Sequence, residues 1–287
     1  MPTPPAPEAF FQPAPGGGQR LYLHHLPPSG TDVRGAVVFV HAWAEEMNKS
    51  RRMAALAARA MAAEGWAVLQ FDLLGCGDSS GEFGDAAWSD WIADVEAAAA
   101  WMGERHRGRP MWLWGLRTGA LLCADVAGRM QPTPHLLLWQ PTVQGKAALQ
   151  QFLRLKAASA IADGGAKAVL DGVRAELDAG RPVEIAGYVM SPALAAGLGA
   201  AALVAPTPVP TDAAPRLLWL DVTPQADPAA SPAQQAAVAR WRGAGWQVSA
   251  DTLTGPAFWQ TTEIEDAPAL VTATLAGLGA TEEEATA

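Results

Sequence analysis

The stretch of sequence most able to carry chemistry is GLRTG, residues 115–119, which follows an apolar run and precedes an apolar helical pattern. Glycines at this spacing are typical of a sharp turn between a strand and a helix, which in many enzymes presents a nucleophile at its centre. The central residue here is Arg117, and a guanidinium is a permanent donor without a lone pair for attack. The alternative is that the two glycines only ease the packing of a helix on a sheet.

The partners that such a nucleophile requires are missing as well. All five histidines lie at or before residue 135, so none follows the last predicted strand, where a general base is expected. Phe258 and Trp259 occupy that loop. Asp221 or Asp227 could supply the acid, but an acid without a histidine has nothing to orient. The sequence therefore excludes an ordinary Ser-His-Asp mechanism and assigns no catalytic residue.

A second group of polar residues follows the first central strand, in the segment HAWAEEMNKSRR (41–52), which we interpret as a loop. His41 at the strand end either braces this loop or acts directly. Glu45 and Glu46 are either solvated at the loop tip or face a pocket, where burial of one could raise its pKa for acid/base work. The candidate ligand-binding residues are His41, Trp43, Glu45, Glu46, Asn48, Lys49, Leu116, Arg117, Thr118, Trp259 and Glu263.

A pocket position is expected for the Arg117 side chain, because such a turn projects its central residue above the sheet. An unpaired buried charge costs several kcal/mol, so we expect a carboxylate within hydrogen-bonding distance of the guanidinium. The candidate partners are Glu45, Glu46, Glu263 and Glu265, together with the aromatic face of Phe258 or Trp259.

Strand and helix patterns alternate along most of the chain, which predicts a mostly parallel sheet with helices on both faces. Apolar strand-like runs stand at 36–41, 66–75, 111–115, 135–141, 216–222 and 246–253. The alternation of strand and helix patterns is interrupted between Gln144 and Asp212, and we predict that this segment is a helical lid. We expect one domain of about eight strands over residues 18–278, a flexible segment over 1–17 and a disordered acidic tail over 279–287.

Composition narrows the classes of partner. A net charge of -9 argues against a nucleic-acid partner and against adhesion to an anionic membrane. The uncharged stretch Ile185–Thr211 is bounded by prolines and poor in Leu, Ile and Phe, so we expect no membrane insertion and a cytoplasmic protein. Cys76 and Cys123 show no disulfide or metal-ligand spacing, and we expect neither a metal nor a cofactor.

Four stretches together resemble a known family: HAWAEEMNKSRRM, FDLLGCGDSSGEF, WGLRTGALL and GPAFWQTTEIEDAP. They resemble the exosortase A system-associated hydrolases of the second type, over nearly all of the chain between Phe10 and Leu278. The resemblance implies an α/β-hydrolase fold with a helical lid insertion and a bacterial protein of the exosortase, PEP-CTERM and exopolysaccharide setting.

The same resemblance implies a hydrolase of an ester or glycan-linked substrate that works without a Ser-His-Asp triad. The alternative is an inactive pseudo-hydrolase whose Arg117 pocket binds an anionic ligand or a protein partner from the exosortase system. The partners that the resemblance implies are a small-molecule, glycan or acyl substrate and a protein of the exosortase system.

Overall fold

A computed structural model describes residues 4–157, 165–208 and 213–280 of the chain. The strands among these residues are β1 (Glu8–Pro13), β2 (Gln19–His25), β3 (Gly35–Val40), β4 (Trp66–Phe71), β5 (Met111–Leu116), β6 (His135–Trp139), β7 (Val183–Ile185), β8 (Tyr188–Met190), β9 (Arg216–Thr223) and β10 (Gln247–Thr254). The helices are α1 (Ala44–Ala63), α2 (Trp88–Arg105), α3 (Gly119–Ala127), α4 (Gly145–Ala157), α5 (Ala166–Asp178), α6 (Pro192–Ala200), α7 (Pro232–Gly243) and α8 (Pro268–Gly279).

Eight of these strands form one twisted sheet in the order β1-β2-β4-β3-β5-β6-β9-β10. Strands β4, β3, β5, β6, β9 and β10 run parallel, and the β1–β2 hairpin joins β4 in an antiparallel sense. Helices α1 and α8 bury one face of the sheet, while α2, α3 and α7 bury the other. The predicted α/β class, a mostly parallel sheet with helices on both faces, is confirmed.

The amino-terminal segment differs from its prediction. Residues 1–17 were expected to be flexible, but residues 8–13 form the edge strand β1, paired with β2 from Glu8↔His24 to Pro13↔Gln19. Phe10 anchors this strand, because its ring lies 5.8 Å from that of Tyr22 and 5.3 Å from that of Trp101, measured between ring centroids. Residues 1–3 and most of the predicted tail, 281–287, lie outside the described residues.

The segment predicted as a lid, 144–212, is an insertion between β6 and β9 and contains α4, α5, the β7–β8 hairpin and α6. Its three helices pack on one another, and the hairpin contacts a short 3₁₀ helix at Phe83–Asp85. Residues 158–164 and 209–212 of this segment lie outside the described residues. Every helix in the described part of the chain is too short or too polar to span a bilayer.

The turn between β5 and α3 is tight enough to require glycine. A Cβ added at Gly119 would collide with the carbonyl oxygens of Val40 and His41, the latter at 2.7 Å. A Cβ at Gly115 would lie 2.6 Å from the Cα of Ala120. Both glycines are therefore explained by the close approach of α3 to the ends of β3 and β5, as the spacing predicted.

Gly119→Ala should lower the free energy of unfolding by about 1–3 kcal/mol or more, because the new methyl group has only rigid backbone to displace. Gly172→Ala is the matched control: Gly172 lies in α5 with no atom within 4 Å of its added Cβ. That variant should gain about 0.5–1 kcal/mol from helix propensity. Urea unfolding measures both, and equal effects at the two positions would contradict the tight turn.

Candidate functional site

Arg117 lies between β5 and α3 in a backbone conformation that is rare for a residue other than glycine. Its φ is +55°, in the left-handed region. Its N–H donates to the carbonyl oxygen of Trp139 at 3.0 Å, and its own carbonyl accepts from the N–H of Thr142 at 3.0 Å. The turn thus has the form of a nucleophile elbow, with the side chain of Arg117 carried above the carboxyl edge of the sheet.

Several groups around the guanidinium of Arg117 compensate its positive charge. Its Nε and Nη2 donate to the carboxylate of Glu46 at 3.3–3.4 Å, and its Nη1 donates to the carbonyl oxygen of Gln140 at 3.4 Å. The ring centroid of Trp259 lies 5.4 Å from Cζ of the guanidinium. The side chains of Arg117 and Glu46 are only 16% and 20% exposed. The expected carboxylate partner is confirmed, and among the four candidates it is Glu46.

Glu46 reaches Arg117 from a helix and not from a loop, which corrects the interpretation of segment 41–52. Helix α1 begins at Ala44, so Glu45, Glu46, Asn48 and Lys49 lie in its first two turns. Met47, Ser50 and Met53 are buried and recur at helical spacing. The burial of these side chains stabilises the first turns of the helix, which therefore begins at Ala44. Carboxylates in the first turn interact favourably with the helix dipole.

Glu45 contacts the insertion instead of the guanidinium. Its Oε2 accepts from the hydroxyl of Tyr188 at 3.2 Å and from the side-chain amide of Asn48 at 3.4 Å. The Tyr188 ring packs against Phe83 and Phe152 at centroid distances of 5.2 and 6.3 Å. Burial, followed by the charge of Glu45, raises the pKa of Tyr188 to about 12, so the tyrosine stays a donor. This network ties the β7–β8 hairpin to the start of α1.

The loop after β3 uses its polar groups internally. His41 is buried; its Nε2 accepts from the N–H of Leu73 at 3.2 Å, so its Nδ1 carries the proton that Ala42 O accepts at 2.6 Å. Burial lowers the pKa of His41, which keeps the ring neutral. These bonds favour the bracing role for His41. The N–H of Trp43 donates to Thr118 Oγ1 at 3.2 Å, so one donor of the type that builds an oxyanion hole is already occupied.

Three predicted site residues lie elsewhere. Leu116 is fully buried in the core beneath the sheet, because alternate residues of β5 point to opposite faces. Lys49 is half-buried, and its Nζ donates to the carbonyl oxygen of Gln260 at 3.4 Å. Glu263 is exposed and is not among the residues that bind Arg117 in the described part of the chain. Within the described residues none of the three hydrogen-bonds to the guanidinium, and their part in ligand binding stays a prediction.

A cavity of about 110 Å³ lies above the elbow and against helix α4. Its polar lining is Glu45, Glu46, Arg117, Thr118, Thr142 and Gln151, and its apolar side includes Trp43, Phe152 and Leu155. Trp43 and Phe152 stack at a centroid distance of 4.6 Å. Thr142 Oγ1 is buried without a hydrogen-bond partner in the described structure. A buried hydroxyl of this kind is costly unless something else bonds to it.

The position expected for a base holds aromatic residues, whereas the position expected for an acid holds Asp221. Phe258 and Trp259 follow β10 and are 2% and 4% exposed, so an aromatic wall stands where a catalytic histidine would. Asp221 lies near the end of β9, and its Oδ1 accepts from Trp219 Nε1 at 3.0 Å. Burial raises the pKa of Asp221 to about 6, and the charge of Arg117 opposes that rise.

Gln140, Thr142, Phe152 and Tyr188 complete the site and were not found from the sequence. Gln140 has φ +41°, and its side-chain oxygen accepts from the N–H of Val222 at 2.7 Å, which joins the ends of β6 and β9. No sequence signal marks these residues. Gln140 contributes a backbone carbonyl oxygen, Thr142 contributes one hydroxyl group, and Phe152 and Tyr188 contribute aromatic rings from the insertion. No cluster of three or more metal-binding side chains occurs within the described residues.

Loss of either partner of the Arg117–Glu46 pair should lower the free energy of unfolding by about 1–3 kcal/mol, because the remaining charge is mostly buried. Arg117→Met keeps the stem and removes the charge, and Glu46→Gln keeps the shape. The double variant should cost less than the sum of the two. Arg129→Met, in an exposed pair with Asp125, should stay within about 0.5 kcal/mol. Additive effects in urea unfolding would mean that the pair does not interact.

Comparison with known proteins bears on the fold. A family model described as serine aminopeptidase, S33 (Hydrolase_4), matches residues 31–169, just under half of the chain. The comparison with curated proteins gave no match.

Solved structures match over nearly the whole chain. Est1E from Butyrivibrio proteoclasticus, solved with ferulic acid bound, aligns with TM-score 0.63 at 13% identity over 95% of this chain and 100% of that one. A carboxyl esterase from Bacillus coagulans aligns with TM-score 0.59 at 14% identity over 88% and 91% of the two chains. A serine hydrolase without lid from Xanthomonas campestris aligns with TM-score 0.55 at 17% identity over 98% and 99%. The strand order, the elbow and these likenesses lead to one conclusion: the chain has the α/β-hydrolase fold.

Proposed function

We propose that this chain is one of the exosortase-associated proteins it resembles and that its elbow cavity binds an acidic small molecule of glycan or acyl type without serine chemistry. The observation that carries the proposal is the position of Arg117 at the centre of the elbow, paired with Glu46 and covered by Trp259. The setting proposed is the bacterial cytoplasm, with exopolysaccharide or PEP-CTERM processing as the system served. A protein of that system is the candidate partner.

An anion suits the cavity because Glu46 already occupies an anion position there. The contacts between its carboxylate and the guanidinium, at 3.3–3.4 Å, are longer than the 2.7–2.9 Å of strong charge-assisted hydrogen bonds. A ligand carboxylate or phosphate can therefore compete for the same donors. Glu46, in the first helical turn and 20% exposed, can turn towards solvent when displaced.

The other residues that line the cavity indicate which groups the ligand carries besides its negative charge. Thr142 Oγ1 offers one further hydrogen bond beside the guanidinium, since it has no partner within the described residues. The stacked rings of Trp43 and Phe152 present an apolar surface that accommodates the face of a sugar ring or an acyl chain. A cavity of about 110 Å³ admits one such group and not a long chain. An acidic monosaccharide unit or a short acyl acid fits both sets of walls.

Titration of the full chain with glucuronate and with inorganic phosphate tests the proposal. Arg117→Met should weaken binding by roughly tenfold or more, because a charge-assisted hydrogen bond is lost. Glu46→Gln should tighten binding several-fold, because the competing carboxylate is gone. Arg129→Met is the control for a change of net charge. Binding that is unchanged in Arg117→Met, or weakened in Glu46→Gln, would contradict an anion site at the elbow.

A second candidate function is hydrolysis of an ester or glycan-linked substrate by a carboxylate. The observation that favours it is Asp221, whose pKa is raised to about 6, close to the range of a general base. The carboxylate could activate water without any nucleophilic side chain. This alternative requires turnover, whereas the binding proposal requires only occupancy.

Hydrolysis of p-nitrophenyl acetate distinguishes the two functions. Under the binding proposal the rate stays near the uncatalysed one at every pH. Under the second, the rate rises with pH as Asp221 loses its proton around pH 6, and Asp221→Asn abolishes the rise. Asp227→Asn, at an exposed aspartate later in the same connection, is the control. Turnover approaching ~10 per second that survives Asp221→Asn would contradict both proposals.

A further inference from the structure

A second cavity, of about 260 Å³, lies away from the elbow, between α1 and the outer strands β2, β3 and β4. Most of its walls are apolar, from Leu21, Leu23, Phe39, Met47, Ala54, Ala55 and Phe71. Its polar lining is His41, Arg51, Gln70 and Asp72. The cavity is larger than the one at the elbow and takes no part in the function proposed above.

The cavity exists because α1 covers the central strands more than the outer hairpin. Leu21 and Leu23 on β2 remain partly exposed on the face that α1 occupies. Phe11 pairs with Leu21 in the β1–β2 register, so the two side chains share a face, and Phe11 is 51% exposed. An apolar surface therefore continues from the cavity along the hairpin.

Within the described residues, Arg51 and Gln70 each have N–H groups without an acceptor, whereas the acceptors of the polar lining already receive hydrogen bonds. Arg51 donates through Nη2 to both oxygens of Asp72 at 3.3 Å, and its Nε and Nη1 have no acceptor among the described residues. Both oxygens of Asp72 are engaged, because its Oδ2 also accepts from the N–H of Asp78 at 3.0 Å. Gln70 Oε1 is engaged by His25 Nε2 at 2.9 Å, so its amide group is a second spare donor.

We propose that this cavity binds the carboxylate of a medium-chain fatty acid, with the alkyl chain along the apolar wall and the carboxylate on Arg51. A guanidinium has five N–H groups in a fork, so Arg51 can bridge Asp72 and a second carboxylate. Its side chain is 43% exposed, which places the free edge of the fork at the mouth of the cavity. The carboxylate thus remains in contact with water while the chain is buried.

The two cavities lie on different sides of α1. Glu46 points from this helix to Arg117, whereas Met47, Arg51 and Ala55 line the second cavity. The two cavities have no lining residue in common. Failure of the elbow proposal would therefore leave this one standing, and the reverse holds as well.

Titration of the full chain with octanoate, decanoate and decanol tests the proposal. Each added methylene should strengthen binding roughly fourfold while the cavity has room, so decanoate, with two more methylenes, should bind more tightly than octanoate by roughly fifteenfold. Arg51→Gln should weaken decanoate at least fivefold and leave decanol nearly unchanged. Arg52→Gln removes the same charge from the next residue, which pairs with the exposed Asp266, and should leave both unchanged.

Ala55→Phe fills the apolar wall and should block decanoate and decanol alike; it tests the same cavity if Arg51→Gln fails to fold. Equal binding of decanoate by Arg51→Gln and Arg52→Gln would overturn the proposal, as would the absence of binding. Sedimentation of the wild-type chain as a dimer that Phe11→Ser dissociates would also overturn it. In that case the apolar surface is an interface between two copies.

Discussion

A buried guanidinium has to be neutralised where it stands, and the carboxyl edge of this sheet is organised around that requirement. Arg117 cannot lose its proton, so the surroundings must supply the opposite charge and the hydrogen-bond acceptors. Glu46 supplies the charge from α1, Gln140 supplies a carbonyl from the end of β6, and Trp259 covers the remaining face. Each comes from a different part of the chain, which the central sheet brings together.

The fold could be predicted from the sequence because its signals are local and repeated. Continuous apolar runs separated by helical patterns leave few arrangements other than a parallel sheet between helices. The elbow glycines could also be predicted, because their spacing reflects a local close approach at Gly115 and Gly119. The need for a carboxylate at Arg117 followed from the cost of a buried charge, although four candidates fitted that need equally well before the structure selected Glu46.

The parts that escaped prediction depend on contacts between distant residues. Strand β1 is held by Phe10 against Tyr22 and Trp101, and the sequence around it is rich in proline and glycine. Helix α1 starts at Ala44 because Met47 and Ser50 are buried against the rest of the protein. The polar sequence of this stretch does not indicate that burial. Tyr188 enters the site through a hairpin of three-residue strands, too short for any periodicity to show. Leu116 precedes Arg117 in sequence, but it ends β5 with its side chain buried in the core, whereas Arg117 lies in the turn that follows.

The aromatic wall after β10 has a consequence for the evolution of this site. A serine–histidine pair at this elbow would need at least two substitutions, a serine for Arg117 and a histidine near Trp259. The first leaves Glu46 mostly buried without its partner, and the second replaces an indole that is 4% exposed with a smaller ring. Each step taken alone costs on the order of 1–3 kcal/mol, against about 5–15 kcal/mol for the stability of a whole domain. Neither substitution alone supplies a nucleophile together with its base, so serine chemistry at this elbow would require both changes at once.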